Sequence, residues 1–185
     1  PLYANLNDQN PDYYFPLLKD AKIQKLRVLD KPCEVSFVIA SGMVTRVETF
    51  YQVGMNRSDF FIDWVDIEWC LRSQFKGFKI FGLPNVKINH KLGDKTKQFL
   101  GRNIVIHSPF RTYYKIRNAI FMYRLRHFLV SSENSVWFLK YVTREIIFVL
   151  LFHRDRVKNI VSIARAILDG VTSDIGKSKN TSERF

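Results

Sequence analysis

The sequence predicts an α/β fold that becomes purely helical towards its C-terminus, and three observations carry this reading. A short apolar, β-branched run (35–40) and two further short strands (78–83 and 86–89) alternate with stretches of helical periodicity. Helix-boundary signals stand where the periodicity changes: Gly54, Gly77 and Ser108-Pro109. Beyond residue 136 apolar residues recur at helical spacing among Lys and Arg, with no strand pattern. With 185 residues, 46% hydrophobic and 15% aromatic, the chain can bury a core and is globular rather than disordered.

Taken in order, residues 1–32 are poor in pattern. Residues 5–11 are turn formers, and Tyr13-Tyr14-Phe15-Pro16 is an aromatic segment suited to cover a core or edge a cleft. Residues 35–40 read as a buried strand ending at Ser41-Gly42. There the missing Cβ lets a ligand or another backbone approach closely, and a plain strand-to-helix turn explains it equally well. Residues 45–53 fit a helix closed by Gly54. The next helix opens with acids: Asp63 is the expected N-cap, Asp66 lies three residues on, and Ile67, Cys70, Leu71, Phe75 and Phe78 recur on one side up to Gly77. Strands at 78–83 and 86–89 follow, the second delivering His90 before a Gly-containing turn. A loop with Lys95, Lys97 and Arg102 leads to the helix signalled by Ser108-Pro109, where Arg111, Lys115 and Asn118 share a face beside Tyr114. Residues 136–152 are strongly apolar but interrupted by Lys140, Arg144 and Glu145. The longest uncharged run, 146–152, is far short of the roughly 20 residues that span a bilayer. Flanked by Arg124, Arg126, Arg154, Arg156 and Lys158, this segment suits a membrane interface, or alternatively a core helix. Residues 160–168 form a further amphipathic stretch ending at Gly170, and the tail from Thr172 is polar.

Charge and cysteines narrow the function classes. The net charge is +12, and residues 101–168 carry 12 Lys and Arg against 3 Asp and Glu, so the basic half should meet phosphate, anionic lipid or nucleic acid. Two isolated cysteines, Cys33 and Cys70, argue against a disulfide framework or a zinc site. Chemistry concentrates around residues 60–94. Asp63 and Asp66 at a helix start would repel, which favours a proton acceptor or a metal. Glu68 points elsewhere and pairs with Arg72 four residues on. Arg111, Tyr114 and Arg117, near a helix start, suit phosphate oxygens, although an ordinary basic helix face explains them as well.

Four separated motifs in this order resemble bacterial glycosyltransferase family 2 enzymes, and among them the rhamnosyltransferases of O-antigen and related polysaccharide assembly. Ser41-Gly42 is similar to the end of the family's preceding strand. Residues 60–72 resemble FFIDxVDxEWCLR, residues 90–94 resemble HSLGD, and residues 107–118 resemble HSPxRxYYxxRN in full. The resemblance covers residues 35–125. It implies the C-terminal, acceptor-side half of a GT-A fold followed by amphipathic helices. Residues 1–125 would form the catalytic half, 126–170 a basic membrane-associated region, and 171–185 a polar tail. Relatives commonly carry Glu-Asp where this chain has Val65-Asp66, which leaves Asp66 as the implied general base, with Asp63 and Glu68 as alternatives.

His90 resembles a ligand of a divalent metal, magnesium or manganese. Arg111, Tyr114 and Arg117 would steady the diphosphate of the donor, and Ser41, Gly42 and Trp64 would lie on the acceptor side. The implied activity is inverting transfer of a deoxysugar, L-rhamnose from dTDP-rhamnose, to a lipid-linked saccharide. The implied place is the cytoplasmic face of the bacterial inner membrane, with the protein bound peripherally. Galactofuranose or glucose as the sugar keeps the same fold. The Asp-x-Asp motif and the nucleotide-binding region that precede these motifs in the family are not in this sequence, so the chain by itself is expected to be incomplete as an enzyme. A non-catalytic basic module binding membrane or nucleic acid is permitted by charge but leaves the ordered motifs unexplained, and no nucleic-acid partner is expected.

Overall fold

The computed structural model describes residues 14–19, 22–27, 31–83, 85–86, 95–99, 102–125, 132–152 and 156–173. Strands β1 (Tyr14–Lys19) and β2 (Lys22–Arg27) form an antiparallel hairpin in register from Tyr14↔Arg27 to Lys19↔Lys22. Pro16 is tolerated because each strand of a two-stranded ladder has a free edge. Tyr14, Phe15 and Pro16 of the aromatic segment therefore lie in a strand, a pattern too short to read from sequence, and Tyr13 lies outside the described residues.

Strand β3 (Cys33–Glu34) pairs antiparallel with β4 (Phe81–Gly82). The strand expected at 35–40 is absent, since the only paired residues here are the two before it, and the strand expected at 78–83 reduces to two residues. Past β3 the chain stays buried at Val35 and Phe37, but its backbone is satisfied mainly by helix side chains. The Val35 amide donates to the Ile80 carbonyl (2.9 Å), and the Val35 carbonyl accepts from Gln74 Nε2 (2.9 Å). Helix α1 (Val47–Val53) ends at Gly54 with φ 92°. A 3-10 turn, Ser58–Phe60, precedes α2 (Val65–Phe75). This helix starts one residue later than expected, with Trp64 rather than Asp63 at its N-cap position. Gly77 takes φ 86° as its position required. Phe75, expected on the core side, is 62% exposed.

The predicted strand at 86–89 and His90 lie largely or wholly outside the described residues. In place of the expected loop around Lys95, Lys97 and Arg102, strands β5 (Lys95–Phe99) and β6 (Arg102–Ile106) form an antiparallel hairpin. Three helices complete the chain: α3 (Pro109–Arg124), α4 (Ser132–Phe152) and α5 (Arg156–Thr172). Ser108 caps α3 by accepting the Arg111 amide (3.2 Å), as the Ser-Pro signal predicts.

Helix α3 is the axis of the fold. Ile116, Ala119, Ile120, Phe121 and Met122 are buried against Phe138, Val142 and Val149 of α4 and Ile163 and Ala166 of α5. Gly170 does not end α5. It sits inside the helix where a Cβ would lie 3.0 Å from Ile120, so the glycine permits close approach of α5 to α3. The C-terminal carbonyls of α5 are taken by Arg124 Nη1, at 2.9 Å from the Gly170 oxygen and 2.8 Å from that of Ser173. The arrangement is compatible with an α/β chain, although its strands among the described residues form only two-stranded ladders. No helix among the described residues is long and apolar enough to cross a membrane.

Candidate active site

The site is built on residues 57–68, the segment after α1 together with the first turn of α2. Three non-glycine residues here have positive φ: Phe61 (59°), Asp63 (58°) and Trp64 (67°). Phe61, with ψ −63°, is the centre of a three-residue turn closed by the Ile62 amide on the Phe60 carbonyl at 2.7 Å. Such residues cost on the order of 1–3 kcal/mol each and persist only where the surroundings over-determine them.

The over-determination comes from α3. The Asn118 Nδ2 amide reaches the carbonyls of Phe60 (2.8 Å), Ile62 (2.8 Å) and Asp63 (3.0 Å). Its Oδ1 accepts from Arg117 Nε (2.9 Å) and Nη2 (2.7 Å), and Arg117 Nη2 also donates to the Asp59 carbonyl (2.6 Å). The Trp64 indole N–H donates to the Lys115 carbonyl (3.0 Å). The last two residues of the Tyr-Tyr-x-x-Arg-Asn motif are therefore a clamp on the loop that leads into α2.

This clamp changes the expected role of two residues. Arg117 is only 7% exposed, with its guanidinium 4.6 Å from the Tyr114 ring centre and 5.0 Å from that of Phe121. Tyr114 is 1% exposed. Neither presents an open face to a diphosphate, because burial and existing partners occupy both. Arg111 remains a third exposed, but it holds Asp63 in a two-pronged ion pair, with Nη2 2.9 Å from Oδ1 and Nε 3.0 Å from Oδ2. Asp63 is thus an ion-pair partner rather than an N-cap. Trp64, expected on the acceptor side, is buried between α3 and the rings of Trp137, Phe138 and Tyr141.

Asp66 is placed differently. Its Oδ2 accepts the Ala40 amide (2.9 Å) and its Oδ1 the Ile67 amide (2.9 Å). The first contact brings the carboxylate beside the exposed turn at Ser41-Gly42, closed by the Met43 amide on the Ala40 carbonyl (3.1 Å), with Gly42 at φ 88°. Each carboxylate oxygen has two lone-pair directions, so one amide apiece fixes the group and leaves it able to accept a hydroxyl proton. Glu68 is 1% exposed and fully engaged by Arg72 (2.8 and 2.9 Å), whose Nη1 also donates to the Val53 carbonyl at 2.6 Å. It is a structural anion, as its spacing to Arg72 suggested, and burial removes it as an alternative base. Burial also pushes the Cys70 thiol up to about 11, which keeps it protonated and out of nucleophilic chemistry.

The structure therefore brings together Asp66, Ala40 and the Ser41-Gly42 turn, and separately Asp63 with Arg111. Asp63 and Asp66, anticipated from their spacing to act as a pair, take different partners. Among the described residues no group of three or more His, Cys, Asp or Glu could hold a metal ion. His90, the expected ligand, lies outside them. Asn118 was placed on a helix face by its spacing but its part in the site was missed. The signal available was its position directly after Arg117 in a motif read for its charges.

No family model matches this chain, and no solved structure matches it. The chain is 33% identical over 176 residues to a protein of Shigella flexneri named dTDP-rhamnosyl transferase RfbF. The match takes in 91% of this chain and 58% of that protein, so the chain spans rather over half the length of the curated relative it matches. The resemblance to rhamnosyltransferase-like glycosyltransferases, read from four motifs over residues 35–125, holds over nearly the whole chain.

Proposed function

We propose that this chain is the acceptor-side, C-terminal part of a GT-A glycosyltransferase that moves L-rhamnose from dTDP-rhamnose, with inversion, to a lipid-linked saccharide of bacterial surface polysaccharide. The observation that carries the reading is the placement of Asp66. It is a partly exposed carboxylate fixed by two amides in the first turn of α2, beside a glycine turn and directly after a loop whose strain is held by α3. In this reading residues 1–125 form the catalytic half, 126–170 the membrane-associated region and 171–185 a polar tail.

Asp66 acts as general base. It takes the proton of the acceptor hydroxyl as that oxygen forms its bond to the anomeric carbon, while the bond from that carbon to the diphosphate breaks and the electron pair leaves with dTDP. The Ala40 and Ile67 amides keep the carboxylate oriented through the step. Arg111 is the one proposed diphosphate contact that retains exposed surface, and Asp63 orients its guanidinium. A divalent metal, magnesium or manganese, with His90 as one ligand, is carried over from the resemblance. The described residues do not assemble such a site, and no step here is routed through it.

Peripheral attachment to the cytoplasmic face of the inner membrane completes the proposal. What supports it is a second apolar row on α5. Val157, Ile160, Val161, Leu168 and Val171, spaced by three, four or seven residues and so on one side of the helix, are exposed, opposite a core row of Asn159, Ile163, Ala166 and Gly170. Lys158 and Arg165 flank that outer row, as an anionic bilayer surface would favour.

The test uses the full-length protein with dTDP-rhamnose, a divalent metal and a lipid-linked acceptor. Asp66→Asn should lower transfer by about 10²- to 10⁴-fold with folding intact. Undiminished transfer would move the base to Asp63. Turnover with a different nucleotide sugar only would keep the mechanism and replace the donor.

A further inference from the structure

The loop that leads into the helix of the proposed base carries an aromatic surface with no role so far. Phe61 is 65% exposed although it is a large apolar residue, and it is held out by the strained turn that Asn118 braces. Its ring meets Phe110 edge-on at 6.1 Å and Tyr114 at 5.1 Å. Phe110 is itself 37% exposed and 5.0 Å from Tyr114. Tyr114 is buried, so the two phenylalanines form a rigid apolar surface with an aromatic floor. Asp63 and Arg111, next in the chain to Ile62 and Phe110, supply a charged edge with side chains 17% and 33% exposed.

Burial would normally stabilise such a ring, and here the backbone is strained to keep it out. A ligand that matches this surface needs an apolar face and a hydrogen-bonding rim. An isoprenoid chain has only the first and would leave the ion pair facing hydrocarbon. A pyranose ring has both: axial C–H bonds to lie on an aromatic face, and hydroxyls to meet a carboxylate. We propose that Phe61 and Phe110 form the subsite for a sugar ring of the acceptor, with the Asp63 carboxylate at its rim reading a hydroxyl while its partner Arg111 faces the donor. The assignment rests on the glycosyltransferase reading for its placement in the reaction, since the loop that carries Phe61 runs on to Asp66.

The experiment has two arms on the full-length protein. In the first, saturation-transfer NMR with free methyl rhamnoside and methyl N-acetylglucosaminide reads ring contact without turnover. Signal on the ring protons should be present in the wild type, lost in Phe61→Leu and retained in Phe61→Trp. Equal signal in the wild type and Phe61→Leu, or none in either, overturns the subsite whatever the enzyme does.

In the second arm, transfer to octyl-linked and dodecyl-linked saccharides is measured at saturating dTDP-rhamnose. Phe61→Leu and Phe110→Leu should each raise the acceptor KM about tenfold, with donor KM unchanged and Phe61→Trp near wild type. A rise in donor KM alone would give the rings to the nucleotide. A loss that scales with alkyl length would give them to the lipid. Failure of transfer in the wild type with a positive first arm would sink the function proposed above and leave the sugar subsite standing.

Discussion

Asn118 shows how much a single neutral side chain can organise. Its amide spans three carbonyls of a loop in which Phe61, Asp63 and Trp64 all have positive φ. Asn118→Leu would take this donor from the Ile62 and Asp63 carbonyls and one acceptor from Arg117, at roughly 1–3 kcal/mol for each group left unsatisfied. The expected outcome is a fall in thermal midpoint together with a drop in kcat larger than any change in donor KM. A fall in midpoint with unchanged kcat would make the clamp purely structural.

Tyr113 offers a second test at this scale. Burial, and then its 2.6 Å hydrogen bond to Asp169, push its phenol up to about 12. An unfolded tyrosine ionises near 10, so between about pH 10 and 12 the folded state holds a proton that the unfolded state has released. The stabilising contribution is fully present below pH 10 and is lost as pH rises through that window. Urea melts from pH 9 to 12 should show the loss, and Tyr113→Phe should flatten that part of the profile.

Elements meet through small residues as well as large ones. At the crossing of α3 and α5, Gly170 faces the Ile120 side chain, where an added Cβ would lie 3.0 Å from both Cβ and Cδ1. Helix propensity alone favours Gly170→Ala by up to about 1 kcal/mol. The clash is with a buried, β-branched residue that has little freedom to move, and overpacking of this kind costs typically about 1–3 kcal/mol. Gly170→Ala should therefore lower stability by about 1 kcal/mol in urea melts, and Ile120→Val should recover part of the loss. Another pair, Lys115 with Glu145, ties the middle of α3 to α4 with both side chains mostly buried. Through Lys115 and Trp64, both packed against α4, the site loop is anchored to the helical region as well as to α3.

At the level of the whole molecule, α4 and α5 are apolar on two sides. On α4, Phe138, Val142 and Val149 are buried, whereas Leu139, Ile147, Leu150 and Leu151 are exposed. With Lys140, Arg144, Lys158 and Arg165 among these rows, anionic vesicles should bind the full-length protein and neutral ones should bind it less. The double variant Ile160→Asp with Leu168→Asp changes side chains that are 51% and 61% exposed. It should weaken sedimentation with phosphatidylglycerol vesicles more than about tenfold, with the thermal midpoint preserved. Unaltered sedimentation would place the membrane contact elsewhere.

The sequence by itself determined the local events. Gly54 and Gly77 end helices, and Ser108-Pro109 starts one, because these depend on one residue's φ or one side chain's reach to its own backbone. The Glu68–Arg72 pair follows from spacing within one helix. The four motifs, their order and the family they resemble were likewise legible, since residue identity at fixed spacing survives without coordinates. The partners of Asp63 and Asp66 were decided only by tertiary structure. Asp63 finds Arg111, which is 48 positions away, and Asp66 finds an amide 26 positions away, and no periodicity encodes such separations. The same holds for Arg117 and Asn118, which read as an exposed basic face and are in fact buried beneath the loop. A charge pattern states which groups want partners. Only packing decides whether those partners are a ligand or the chain's own carbonyls.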